Sequence, residues 1–227
     1  MMDFETARFN MIEQQIRPWE VLDHDVLDTL SAVRREEFVP PAFRSLAFTD
    51  TEIPLHLESG RTDEVMLAPK MEARFLQALA PRKHEYALEI GAGSGYMAAL
   101  LAHRTREVLS LEIHPALAEF ARRNIERSAV SGARISCADG SKWADDSEHR
   151  DTQWDLIALS GSLPSVGSEW LSRLKIGGRL VAIVGDEPAM KAQLVTRLDE
   201  QSYETKTLFE TVVRRLRGFP ARNRFTF

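Results

Sequence analysis

The chain has 227 residues, 44% of them hydrophobic and 28% charged, which excludes disorder, collagen and coiled coil and suits one core of α/β size. Its net charge is −5, and the first 60 residues hold twelve acids against five arginines, a balance that repels a phosphate backbone and argues against a nucleic-acid partner. Lone Cys137 forms no internal disulfide, no stretch approaches the ~20 apolar residues of a membrane span, and the polar start lacks a leader's apolar core, so the expectation is a soluble protein of the reducing cytosol.

In chain order, Leu22, Val26, Leu27, Leu30 and Val33 recur at helical spacing, with Asp23 as the N-cap, and Phe38-Val39-Pro40-Pro41 breaks the helix. The segment 49–66 reads as a loop or irregular strand. It enters a helix from Pro69 to Ala80 whose Met71, Phe75 and Leu79 share one face. From Tyr86 onward, strands at 86–90, 107–112, 133–137, 154–160 and 178–184 alternate with helices at 95–104, 115–128, 168–174 and 188–200. Pro115 and Pro188 stand near first helical positions, where a missing N–H costs nothing. The stretches 202–217 and 223–227 read as β around a turn at Gly218-Phe219-Pro220, an antiparallel hairpin closing one edge of a mostly parallel sheet. One domain over 1–227 is expected, with an N-terminal cap and loop at 1–66 and a core at 67–227. The last 17 residues carry five arginines and no acid, read here as edge protection and solvated surface.

Leu88-Glu89-Ile90-Gly91-Ala92-Gly93-Ser94-Gly95-Tyr96 joins an apolar strand to an alanine-rich helix, so its backbone can approach a ligand and the helix offers free N–H groups. The glycine spacing is not that of a dinucleotide site, because bulky Tyr96 stands where the third glycine is needed, and no triphosphate loop occurs. Glu89 beside the loop suits a ligand with a positive group, such as the amino acid end of S-adenosylmethionine. Glu112 follows Gly91 by 21 residues at a strand tip, where it can accept ribose hydroxyls, and Asp139-Gly140 lies at the next tip, positioned for an adenine edge. The six histidines form no i, i+4 pair and have no cysteine at ligand spacing, so no metal is expected.

The chain resembles the protein-L-isoaspartate O-methyltransferase family through Met11-Ile12-Glu13-Gln14-Gln15-Ile16, Val26-Leu27-Asp28-Thr29-Leu30, Arg35-Glu36-Glu37-Phe38-Val39-Pro40, Leu67-Ala68-Pro69-Lys70-Met71, the glycine loop, Asp139-Gly140, and Leu174-Lys175-Ile176-Gly177-Gly178-Arg179-Leu180. The N-terminal blocks are family-specific, whereas the glycine loop is shared by most Rossmann-like methyltransferases. The resemblance implies a Rossmann-like α/β fold with a seven-stranded, mostly parallel sheet, an antiparallel edge and a helical cap over the cofactor. It implies S-adenosylmethionine as cofactor, with Glu89, Gly91, Gly93 and Gly95 at its methionine end, Glu112 at the ribose, and Asp139 with Gly140 at the adenine; Ala92 of the glycine loop is also expected to be cofactor-binding. The implied substrate is the stray carboxylate of isoaspartyl residues in damaged proteins. Family members usually carry an active-site Ser where this chain has Leu67, and Lys70, Thr62, Ser160 and Ser162 are the candidates to replace its contact. That substitution leaves open a silent cofactor-binding protein or a methyltransferase with a small-molecule acceptor. Amino-group methylation is not supported, since Leu159-Ser160-Gly161-Ser162-Leu163-Pro164 stands where such enzymes place Asn/Asp-Pro-Pro-Tyr.

Overall fold

Seven segments become the strands of one sheet, the central ones as continuous buried runs: β3 (Tyr86–Ile90), β4 (Glu107–Glu112), β5 (Ala133–Cys137), β6 (Trp154–Leu163), β7 (Leu174–Val184), β8 (Met190–Arg197) and β9 (Tyr203–Thr211). A short antiparallel pair, β1 (Ile53–Pro54) with β2 (Val65–Met66), lies apart from it. The computed structural model describes residues 3–57, 60, 62–145 and 152–219. The sheet has seven strands in the order β5-β4-β3-β6-β7-β8-β9, parallel from β5 to β7 and antiparallel beyond. This is the expected mostly parallel sheet with an antiparallel edge.

The sheet's two faces bury different apolar sets. Ala87, Leu156, Ala158, Val181 and Ile183 face the helices α3 (Pro69–Leu79), α4 (Tyr96–Arg104) and α5 (Pro115–Arg127). Leu88, Ile90, Ile157, Leu159 and Leu180 face the other way, toward Trp170 of the one-turn helix α6 (Ser168–Leu171). Complete burial of the leucine, isoleucine and valine side chains among these contributes roughly 1.5–3 kcal/mol each, so the sheet is the stability centre that holds the loops at its end.

The N-terminal cap forms α1 (Phe4–Met11), a π-helical turn at Ile12–Ile16, and α2 (His24–Ala32). Asp3 and Asp23 are the two N-caps, each accepting two backbone N–H groups; Leu22 lies outside α2 and is 64% exposed. The cap packs on α3 and α4, so it braces the crevice described below, and among the described residues none before Leu55 belongs to its wall. Only the segment after it, from Leu55 to Leu67, reaches the wall.

The stretch 188–200 is not a helix. Residues 190–197 form β8 between β7 and β9, with Met190, Ala192 and Leu194 packed toward one face and Val195 toward the other. Alanine, lysine, glutamine and leucine favour a helix locally, but pairing on both edges overrides that preference. Pro188 therefore opens no helix and stands in the turn before β8. Helix 168–174 shrinks to four residues because Leu174 already belongs to β7. The antiparallel edge is β8 with β9 and not the expected hairpin of 202–217 with 223–227: strand structure from 202 on ends at Thr211, the chain then leaves the sheet edge, and 223–227 lie outside the described residues.

Candidate active site

Parallel strands deliver their loops to one end of a sheet, and here the strand order reverses between β3 and β6, so a crevice opens outside their carboxyl ends. Its cavity volume is about 70 Å³. Its floor is Gly91 and Gly93 after β3, Glu112 at the end of β4, Ala138 and Gly140 after β5, and Ser160 and Gly161 of β6. Leu55, Glu64, Val65 and Leu67 form one side, and Arg214–Arg217 form the other.

Gly91 holds a φ of +90° and Gly93 a φ of +52°, left-handed conformations that side-chain-bearing residues rarely adopt. The loop is tied to the neighbouring strand: the Gly91 and Ala92 N–H groups donate to the Leu111 carbonyl at 2.8 and 3.2 Å. Gly93 N–H donates to one Glu112 oxygen at 2.8 Å, and His114 N–H donates to the other at 2.9 Å. Burial holds the Glu112 carboxyl above the usual range, opposed by those two bonds. Each carboxylate oxygen still has a lone pair for a hydroxyl in the crevice. Ala92 and Gly95 stand behind the wall, Gly95 as the N-cap of α4 packed against Ala121.

Glu89 is fully buried and does not line the crevice. Ser110 Oγ donates to its Oε2 at 2.6 Å, and Ser160 Oγ donates to its Oε1 at 2.8 Å. Burial pushes this carboxyl up to about 7 against the pull of the two hydroxyls. Ser160 reaches the crevice because β6 bulges there: Ala158 pairs with Val181 and Ser162 with Ile183, so three residues of β6 stand against one of β7. With its proton committed to Glu89, Ser160 offers the crevice only lone pairs.

Asp139 also stands outside the wall, although Ala138 and Gly140 flank it inside. Its Oδ1 accepts from Ser141 N–H at 3.0 Å and Ser141 Oγ at 2.6 Å, which holds its carboxyl below the usual range. Gly140 packs so tightly on Ile90 that an added Cβ would lie 2.4 Å from that side chain.

The four candidates to replace a serine contact are all committed. Lys70 pairs with Asp50 at 2.7 Å and lies 4.0 Å from the Trp19 ring centre, and Thr62 Oγ1 donates to the Leu55 carbonyl at 2.7 Å. Ser162 is buried and donates to the Val213 carbonyl at 3.1 Å, and Ser160 is held by Glu89. Leu67 itself lines the crevice as a buried side chain.

The C-terminal arginines correct the edge part of the sequence reading, while Arg214 and Arg217 are exposed as expected and Arg222 and Arg224 lie outside the described residues. Rather than guarding an edge, residues 213–217 run across the crevice as a strap. Ser162 N–H donates to the Arg214 carbonyl at 2.8 Å, and Leu216 N–H donates to the Ser162 carbonyl at 3.0 Å. The Leu216 side chain lies against Gly91 and Gly161, where an added Cβ would meet it at 2.8 and 2.9 Å. Arg215 pairs with Asp186, and Arg217 with Glu64. The run of arginines without acids was the available signal for this strap.

A sheet of this order, a glycine loop at its switch point and an acid at the next strand tip define a Rossmann-like methyltransferase. The chain belongs to the Protein-L-isoaspartate(D-aspartate) O-methyltransferase family, whose profile matches residues 7–216. It is 35% identical over 204 residues to Protein-L-isoaspartate O-methyltransferase 2 of Marinobacter nauticus, covering 89% of each chain. It is 34% identical over 212 residues to the Protein-L-isoaspartate O-methyltransferase of Staphylothermus marinus, covering 89% of this chain and 90% of that one. Its fold is similar to the crystal structure of a Plasmodium falciparum protein described as a putative enzyme of the same name in complex with S-adenosyl-L-homocysteine. The TM-score is 0.77 at 17% identity, over 96% of this chain and 99% of that one. Among the described residues no helix is long and apolar enough to cross a membrane.

Proposed function

We propose that this chain, acting as one domain in the cytosol, methylates the carboxylate of isoaspartyl residues in damaged proteins with S-adenosylmethionine as donor. The observation that carries the reading is Glu112, held at the β4 tip by the Gly93 and His114 N–H groups with lone pairs to spare for ribose hydroxyls. The residues fit the cofactor's chemistry. Gly91 and Gly93 would border the methionine end, Ser160 would pass the charge of Glu89 to the ammonium, and Ala138 and Gly140 would border the adenine, with Asp139 behind them bracing the turn through Ser141.

When bound, S-adenosylmethionine supplies a methyl on a sulfonium: an O–CH₃ bond forms as S–CH₃ breaks, and the electron pair returns to sulfur. An isoaspartyl carboxyl with a pKa near ~4 is already ionised at neutral pH, so no general base is needed. The wall's own acids agree with that demand, since Glu64 is ion-paired and Glu112 is held by backbone groups. The chain's task is alignment and exclusion of water.

Tritiated methyl transfer tests this. Label should enter an isoaspartyl peptide as a base-labile ester and leave its aspartyl isomer unlabelled. Normal cofactor binding with no label on the peptide would turn the reading toward a small-molecule acceptor or a silent cofactor-binding protein.

A further inference from the structure

Three guanidinium groups belong to residues of the crevice wall, and two of them are ion-paired, Arg215 through Nη2 alone, its buried Nη1 having no partner among the described residues. Arg215 pairs with Asp186 at 2.6 Å and donates to the Gly185 carbonyl at 3.0 Å, and Arg217 pairs with Glu64. The Arg214 side chain makes no hydrogen bond or ion pair with the described residues, although its backbone is pinned to Ser162. Its charge acts on half-buried Glu52, whose carboxyl burial holds above the usual range and Arg214 pulls back. Every hydroxyl or ammonium candidate near the crevice donates elsewhere, and Leu67 has no polar atom in its side chain.

Resting on the function proposed above, we propose that Arg214 is the binding residue for the acceptor's carboxylate. A guanidinium presents two parallel N–H groups that match a carboxylate, and it leaves lone pairs on both oxygens for bond formation. Pinning the Arg214 carbonyl to β6 places this cation on the same strap as Leu216, which covers the first glycine.

The chemistry decides which kinetic constant Arg214 governs. The acceptor enters as an anion and leaves as a neutral ester with no proton moved, so its charge shrinks along the reaction. A cation facing it binds the ground state at least as well as the transition state. Arg214 therefore lowers KM without raising kcat, and its hold on the product disappears with the charge.

The test compares wild type with Arg214→Met and Arg214→Lys. The readouts are KM and kcat on an isoaspartyl peptide, calorimetric Kd for S-adenosylhomocysteine, and fluorescence-anisotropy Kd of the labelled peptide on homocysteine-cofactor-saturated protein. For Arg214→Met, peptide KM and peptide Kd should both rise about tenfold or more, the scale of a lost charge-assisted hydrogen bond. Its kcat and cofactor Kd should stay within about twofold of wild type, and Arg214→Lys should fall between. Arg214 is exposed, so melting curves should coincide. An unchanged peptide KM in Arg214→Met overturns the proposal while leaving the function intact, as does a loss confined to kcat or to cofactor binding. A wild-type protein that binds cofactor but leaves the peptide unlabelled overturns the function itself, and the role of Arg214 with it.

Discussion

The Arg35 guanidinium donates to the Leu67 backbone carbonyl at 2.6 Å, tying the N-terminal cap to the wall of the crevice. Arg35 is wholly buried: its Nε donates to the Ala47 carbonyl at 3.0 Å, Nη1 pairs with Glu72, and its plane lies 4.9 Å from the Tyr96 ring centre. Burial pushes Glu72 up to about 7 against the pull of Arg35. Removing one partner strands the other without solvent. Arg35→Met or Glu72→Leu alone should each lower unfolding free energy by roughly 3–5 kcal/mol, and the double variant should recover much of that loss. Urea denaturation of the three variants checks this; additive losses would show the two groups uncoupled.

Glu89 should give the protein a stability that falls with rising pH. Its carboxyl titrates near 7 when folded and near its ordinary 4.5 when unfolded. Below about 4.5 it is neutral in both states and has no effect. Between 4.5 and 7 the unfolded chain ionises first, so the folded chain binds more protons and stability drops; above 7 the full penalty is in force. Glu89→Gln keeps a polar side chain of nearly the same shape for Ser110 and Ser160 and removes the titration. The wild-type minus variant difference in urea midpoint should therefore decline from pH 4.5 to 7 and level off above it. A pH-independent difference would show that Glu89 is ionised throughout.

The alternation of strands and helices from Tyr86 to Val184 was legible because β3, β4, β6 and β7 carry apolar runs and α5 has a polar face, whereas α4 is buried from Tyr96 to Ala102 and was marked by the glycine loop before it. The hairpin was harder. Met190 to Leu194 is made of helix formers, with β-branched Val195 and Thr196 only at its end, and pairing with β7 and β9 makes it a strand. At the site, glycines and strand-tip acids were readable from local spacing, whereas the inward turn of Glu89 was not. It depends on Ser110, 21 residues away, and on Ser160, 71 residues away. The family block Arg35–Pro40 was visible as a motif, but its role was hidden until Glu72, Arg8 and Asn124 were brought against it: Glu36 pairs with Arg8, and Asn124 donates to the Phe38 carbonyl at 3.4 Å.

Glu112→Ala should weaken S-adenosylhomocysteine binding by roughly 1.5–3 kcal/mol, the scale of hydrogen bonds to a charged acceptor. The variant loses the ribose acceptor and also frees the Gly93 and His114 N–H groups that Glu112 holds in place. Glu112→Gln keeps one carbonyl acceptor and should fall between. Calorimetry on folded protein reads the difference, and equal dissociation constants in wild type and Glu112→Ala would reduce Glu112 to a loop brace.

Leu67→Ser tests the position where this chain departs from its family pattern. Leu67 is 7% exposed and belongs to the main apolar cluster, so exchanging it for a small polar side chain leaves space behind and should lower stability, by about 1–3 kcal/mol. A serine there gains nothing as a helix cap, because Ala68 holds the N-cap position of α3 and Leu67 precedes it. The backbone should stay in place, since Arg35 grips the Leu67 carbonyl whatever the side chain. A hydroxyl added at this wall would face the crevice and could donate to an acceptor carboxylate, holding it in line for transfer. Methyl transfer to an isoaspartyl peptide, normalised to the folded fraction, should therefore rise in Leu67→Ser. Because the added bond acts on the same carboxylate as Arg214, combining Leu67→Ser with Arg214→Met should restore part of the lost peptide affinity. A double variant as weak as Arg214→Met alone would mean that position 67 does not reach the acceptor.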